Sequence, residues 1–181
     1  MFTANDIFQK AQSLSRWNAQ KLYYHFNRKT QRNLPIKRGE VYFVDLGQNI
    51  GSEENKIRPV VVIQSNTYNQ TSPVFIGAIV SSSPVTIQDV QIPISGSYPY
   101  ADKNGNSQLL KGAIDLGQIR TLAKERIISR ICALGSEMDE VNEKLPNIIG
   151  LKPSITAMAN IINSLKGKVD YLKAKLEKLQ E

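Results

Sequence analysis

The sequence predicts a mainly β (α+β) domain, a small barrel or strongly curved sheet, carried between two helical extensions. Two observations predict it. The middle of the chain holds several short apolar or alternating segments at near-regular spacing, the pattern of small β-rich barrels. The first and last thirty or so residues instead repeat their apolar residues at helical spacing. Three segments follow: a basic helical extension and linker at 1–35, a barrel domain at 36–151, and a C-terminal heptad helix at 152–181.

At the N-terminus, Ile7, Phe8, Ala11, Leu22 and Phe26 fall on one broad face at 100° per residue, with Leu14 at its edge, so 5–30 reads as a helix. Asn5 is placed to cap it, and Asp6 complements the helix dipole. Arg32-Asn33-Leu34-Pro35 stops the helix and forms the linker.

In the middle, 41–44 is short, β-branched and aromatic. The segments 59–64 and 74–80 are almost continuously apolar, as strands buried on both faces are. Residues 87–94 nearly alternate, predicting a half-exposed strand. A Gly-, Pro- and Ser-rich stretch at 96–106 reads as a long loop, where Tyr98 and Tyr100 either stack on bases or tuck beneath the loop. Strands at 108–115 and 118–122 and an amphipathic helix at 137–149 complete the domain.

Pro153 then breaks the preceding helix, and Ser154 is placed to cap a new one. Ile155, Met158, Ile162, Leu165, Val169, Leu172, Leu176 and Leu179 recur at alternating spacings of three and four. β-Branched residues take most a positions and Leu most d positions, the choice that favours a parallel two-stranded coiled coil, and Gly167 weakens the helix. Self-association and packing within the same chain are both open.

The net charge of +7 is unevenly spread. Residues 1–35 carry six Lys/Arg against one acid, 36–151 eleven against twelve, and 152–181 six against three. The basic ends suit a polyanionic partner, whereas any nucleic-acid site in the neutral middle must be a local cluster. Cys132 is the only cysteine and reads as a small buried residue, so no intrachain disulfide is expected. With no apolar run of membrane-spanning length, the chain reads as soluble and cytoplasmic. His25 reads as a surface residue of the first helix.

Three blocks carry more specific information. The first is Arg38-Gly39-Glu40-Val41-Tyr42-Phe43-Val44-Asp45-Leu46. The second runs from Gly51-Ser52-Glu53 into Arg58-Pro59-Val60-Val61-Val62-Ile63-Gln64, and the third is Gln118-Ile119-Arg120-Thr121. In this order and spacing they resemble the MazF/PemK family of toxin ribonucleases over about 115 residues. The resemblance implies an SH3-like small barrel of the MazF/PemK/CcdB type with a C-terminal helix. It also implies a homodimer, single-stranded RNA (mRNA) as substrate, and a cognate antitoxin protein that blocks the RNA grooves. Neither metal nor cofactor is implied.

A metal-free ribonuclease directs the ribose 2′-OH at the adjacent phosphorus, leaving a 2′,3′-cyclic phosphate and a 5′-OH. The barrier lies in proton transfer and in charge building on the phosphoryl oxygens, which a forked guanidinium matches better than an ammonium. By resemblance Arg58 is the catalytic arginine. Counting from it without a gap, Ser81 stands where the family places a Thr, and its hydroxyl can donate to a phosphoryl oxygen. Glu53 is a candidate to accept the 2′-OH proton, or else an ordinary loop acid. Gln64 and Ser65 match positions near the RNA groove, where they could read base edges. Arg120 either binds phosphate or braces a dimer, and Ser52 joins the RNA-binding loop. The Kid-like branch of the family uses an Arg, an Asp and a His where this chain has Asp115, Gly117 and Ser52, so cleavage in that manner is ruled out. Two readings compete with the enzyme: a non-catalytic barrel that binds nucleic acid or a protein such as gyrase, and a basic N-terminal helix that tethers the chain to a membrane or ribosome.

Overall fold

The structure is a computed structural model that describes residues 3–26, 34–82 and 87–180. It divides into two compact units, Met1–Val141 and Asn142–Glu181. In the first, α1 (Ala4–Phe26) precedes β1 (Glu40–Asp45), β2 (Ile57–Val62), α2 (Asn66–Thr71), β3 (Val74–Ser81) and β4 (Gln91–Pro93). Then come β5 (Pro99–Ala101), β6 (Ser107–Leu109), β7 (Ala113–Ala123), a 3-10 turn, β8 (Ile127–Ala133) and the start of α3 (Glu137–Ile148). Six strands form one antiparallel sheet in the order β4-β7-β3-β2-β1-β8, and β5 pairs with β6 in a second, two-stranded sheet. Helices added to this sheet give the predicted α+β class.

Register explains why the central strands read as unbroken apolar runs. Tyr42, Val60 and Ile79 are successive partners across β1, β2 and β3, and all three belong to a core with Ile36, Val44, Leu46, Val62, Phe75, Leu122 and Ile127. Val41, Val61 and Ala78 are partners on the opposite face and are buried too. A sheet covered on both sides has no polar face to alternate with. It also bends: Ile79 pairs with Asp115, while its neighbour Ala78 pairs with Ile119. Residues 116–118 of β7 therefore bulge out of the ladder, and such a bulge re-aims the side chains it carries.

Several expectations need correction. Only the second half of 87–94 is strand; Ile87 accepts bonds from the Val90 and Gln91 amides and turns the chain first. The loop at 96–106 holds β5, whose partner β6 folds back immediately after it. The segments 108–115 and 118–122 become the short β6 and one long strand, β7, which runs through Gly117. Strand β8 and the polar helix α2 were not anticipated: β8 buries only Ile127 and Ile131, too sparse a pattern to stand out. Cys132 is half-buried rather than buried, and burial pushes its thiol up to about 11.

Tyr98 and Tyr100 tuck in. The Tyr98 hydroxyl donates to Glu137 Oε2 at 2.6 Å and accepts from the Gly135 amide, while Tyr100 packs edge-on against Phe43. Glu137 also receives the Ser95 and Gly96 amides and the Ser95 hydroxyl. Burial alone would raise its pKa, but this set of donors outweighs burial and brings it down to about 2. One fully buried carboxylate thus ties the base of the 96–106 segment to the first turn of α3.

Helix α1 reverses its predicted face. Ile7, Phe8, Leu22 and Phe26 are exposed, and the buried residue is Trp17, flanked by half-buried Ser13, Gln20 and Tyr24. Trp17 lies against Gly47, where a Cβ would stand 2.2 Å from its ring, and beneath the Arg126 guanidinium at 5.1 Å. The Tyr24 hydroxyl donates to Asp45 Oδ2 at 2.9 Å; burial first, and then Asp45, push its pKa up to about 12. The capping group is Thr3 rather than Asn5: its hydroxyl accepts from the Asp6 amide and Asp6 accepts from the Thr3 amide, a reciprocal pair. Residues 27–33, which include the predicted end of this helix and the first half of the linker, lie outside the described residues.

In the second unit α3 ends near Gly150, which takes φ +74, and α4 runs over Lys152–Gln180. Pro153 sits in its first turn, where the missing amide costs nothing, so it opens this helix as well as closing the last. All eight residues of the heptad seam are exposed.

Candidate active site

Residues 46–57 leave β1 and return as β2 through a loop closed by two backbone bonds, Leu46 N to Lys56 O and Lys56 N to Gly47 O, each 2.8 Å. Gly47 (φ +77) and Lys56 (φ +64) take left-handed conformations at its neck. Inside it, Asn49 Nδ2 donates to the Glu54 carbonyl at 2.7 Å. From outside, the β7 bulge holds it: Gln118 Oε1 accepts from the Glu54 amide at 3.0 Å, and Gln118 Nε2 donates to the Ser52 carbonyl at 3.1 Å. These straps make the loop a shaped element rather than a free one.

The loop turns its two adjacent acids to opposite sides. Arg58, second residue of β2, donates from Nε to Glu54 Oε2 at 2.8 Å. The other Glu54 oxygen accepts from Ser81 Oγ, at the end of β3, at 3.4 Å. Arg58, Glu54 and Ser81 thus form one linked set, with Ser81 nearly buried and Arg58 two-fifths exposed. Glu53 points the other way, to Arg120 Nη2 at 3.4 Å.

Two grooves flank the loop. The one containing Arg58, of about 520 Å³, is lined by Lys56 and Gln48 from the loop and by Arg16 and Gln20 from α1. The other, of about 710 Å³, contains Ser52, Glu53, Gln118 and Arg120. The sequence-predicted residues therefore separate. Arg58 and Ser81 come together; Glu53, Arg120 and Ser52 form a second cluster across the loop. Gln64 and Ser65 follow the far end of β2, roughly 20 Å from Arg58 at strand rise. There Gln64 Nε2 donates to Asn69 Oδ1 at 3.1 Å and Asn69 Nδ2 returns a bond to the Gln64 carbonyl, so the pair anchors α2. Ser65 is the N-cap residue of that helix, and its side chain makes no capping bond.

Sequence reasoning missed Glu54, the carboxylate that meets Arg58, and gave no role to Gln118, which shapes the loop. The spacing does hold a trace of Glu54: it lies four residues before Arg58. Nothing local separates it from Glu53. Among the described residues, no group of three His, Cys, Asp or Glu is arranged to hold a metal ion.

The fold and this set define an α+β domain built on a six-stranded antiparallel sheet, with an arginine, a carboxylate and a hydroxyl linked at its first loop. Comparison with known proteins makes it specific. Residues 37–149 match the model of the PemK-like, MazF-like toxins of type II toxin–antitoxin systems. The chain is 39% identical to the endoribonuclease EndoA of Bacillus subtilis over 111 residues, 61% of this chain and 90% of that protein. It is 37% identical to the endoribonuclease MazF of Staphylococcus epidermidis over 117 residues, 64% of this chain and 92% of that one. A solved mycobacterial endoribonuclease in complex with its cognate antitoxin shares the fold, with a TM-score of 0.51 at 21% identity over 64% of this chain and 96% of that one. The chain belongs to the MazF/PemK family, as a toxin endoribonuclease of a toxin–antitoxin system. Both α1 and α4 lie outside the matched region.

Proposed function

We propose that this toxin endoribonuclease cleaves single-stranded RNA, mRNA included, by 2′-OH attack, with Arg58, Glu54 and Ser81 as its working set. The observation that carries this reading is the Glu54 carboxylate bridging Arg58 Nε at 2.8 Å and Ser81 Oγ at 3.4 Å. Glu54 fixes the guanidinium fork through Nε and leaves its two terminal nitrogens for the phosphoryl oxygens. An arginine stays protonated at working pH, so it stabilises developing charge and does not take a proton. That task falls to Glu54, the acid beside the clamp: the 2′-oxygen bonds to phosphorus, its proton passes to the carboxylate, and the bond to the 5′-oxygen breaks. Water gives that oxygen a proton, leaving a 5′-OH and a 2′,3′-cyclic phosphate, and Glu54 then returns its proton to solvent. When substrate binds, Ser81 turns its single hydroxyl proton from Glu54 to a phosphoryl oxygen. Ser52 and Arg120, on the other side of the loop, bind RNA, with Glu53 orienting the Arg120 guanidinium. Gln64 and Ser65, at the far end of β2, would contact only a more distant part of a bound strand. The enzyme works in the cytoplasm as a homodimer restrained by an antitoxin protein.

Incubation with a long RNA in EDTA, followed by mapping of both ends, tests the reaction and its sequence preference together. Cyclic phosphate and 5′-OH ends are expected, and Arg58→Ala should slow cleavage by about 100-fold or more, the scale of losing one preorganised charge stabiliser. RNA left intact across varied sequences by the wild-type protein would instead mark a binding module. For the base, Glu54→Gln should abolish the acid limb of the pH–rate profile while Glu53→Gln leaves it in place; the reverse result would hand the role to Glu53.

A further inference from the structure

The C-terminal helix carries information that RNA cleavage does not use. Its seam is heptad-regular from Ile155 to Leu179, and all eight side chains are between 49% and 76% exposed. At roughly 100 Å² each, they offer about 800 Å², the area one partner gives to a standard protein interface. An apolar surface of that size marks a contact site.

The flanks say what kind of contact. With Ile155, Ile162, Val169 and Leu176 at a, and Met158, Leu165, Leu172 and Leu179 at d, Lys166 and Lys173 fall at e and Lys168 and Lys175 at g. Ala159 and Ile161 are the apolar e and g residues of the first heptad. The acids Asp170 and Glu177 fall at b, away from the seam. In a parallel pair of identical helices each g faces the e of the following heptad, which sets Lys168 against Lys173. In an antiparallel pair e faces e and g faces g, again lysine on lysine. Flanking charges of this kind select the partner, and here they oppose a second copy. The other exposed apolar helix face among the described residues, on α1, is itself set among Lys10, Arg16 and Lys21.

We infer that α4 is a docking helix for a partner protein that presents an acidic heptad helix, with Glu or Asp facing the four lysines. An anionic membrane would also attract those lysines. It has no need of an unbroken three–four register with β-branched a and Leu d residues, and α4 lacks Trp and Phe, which membrane-surface helices favour. Gly167 falls at f, facing away from the seam, and leaves the register unbroken.

The test uses the full-length protein and three probes: a synthetic four-heptad peptide with Ile at a, Leu at d and Glu at e and g; the same peptide with Lys at e and g; and phosphatidylcholine vesicles containing phosphatidylserine. Titration calorimetry should show one-to-one binding of the acidic peptide, weakened at least tenfold between 50 and 500 mM NaCl, and none of the basic peptide. Lys166, Lys168, Lys173 and Lys175 all changed to Glu should reverse that preference while leaving the apolar seam intact. Three results would overturn the inference. The acidic peptide could fail to bind, or bind no better than the basic one. Leu172→Asp could lower the sedimenting mass of the protein alone, making a second copy the occupant. Vesicles could be bound through α4 while the peptide is not.

Discussion

Helices α1 and α4 both lie outside the domain shared with the toxin family, both are amphipathic and both are basic, yet they meet opposite fates. Helix α1 has a seat, made for one side chain. Trp17 fits against a glycine that no larger residue could replace, under Arg126, with Tyr24 bonded to Asp45 about two turns further on. The more apolar face of α1 stays exposed. Helix α4 has the more regular seam of the two, and all of it is open. Hydrophobic periodicity shows that a helix has a face to cover. It does not show whether the same chain supplies the cover, because docking depends on a complementary surface built by distant residues.

The largest expected effect attacks the seat. Trp17→Ala should weaken α1 docking by about 3 kcal/mol or more, as truncating a buried aromatic usually does. Gly47→Ala should act in the same direction, since it adds a Cβ at 2.2 Å from the ring and forces a side chain onto φ +77. Limited proteolysis should then cut within α1 first. Leu172→Ser on the open seam of α4 should leave the melting temperature within error; a drop comparable to that of Trp17→Ala would erase the contrast.

A second prediction uses acid. Glu137 has its folded pKa lowered from 4.5 to about 2. Its contribution is therefore complete above the unfolded value and is lost as the pH falls from about 5 towards 2, a loss on the order of 3 kcal/mol. Because Trp17 is the only tryptophan, its fluorescence reports the α1 seat directly. Urea midpoints read by that signal should fall over this pH range in the wild type and much less in Glu137→Gln. Helicity of an α4 peptide should not follow the same curve.

The smallest effect concerns Arg16, the α1 residue that shares a groove with Arg58. Arg16→Ala should leave stability unchanged and reduce the salt dependence of RNA affinity by about 0.7 in slope, the signature of one lost phosphate contact on a single strand. An unchanged slope would make α1 a structural graft without a part in substrate binding.

Much of this molecule was written in local sequence. The central strands, α3 and the α4 seam follow from periodicity over a few residues, and the family blocks place Arg58, Ser81, Gln118 and Arg120 on the segments where they are found. These features depend on neighbours along the chain or on a shared motif, which a single sequence displays. What the tertiary structure alone decided is which neighbours meet across it. Glu53 and Glu54 are adjacent and chemically alike, yet a loop shaped by Gln118 and Asn49 gives Glu54 to Arg58 and Glu53 to Arg120. Gln64 shares a short segment with Arg58, yet the rise of β2 carries it to the opposite end of the strand. Trp17, rather than the richer apolar face, became the anchor of α1 because Gly47, thirty residues further on, left a space of its shape. A loop's path and a socket's shape are products of long-range packing, whereas periodicity records only how the chain addresses water.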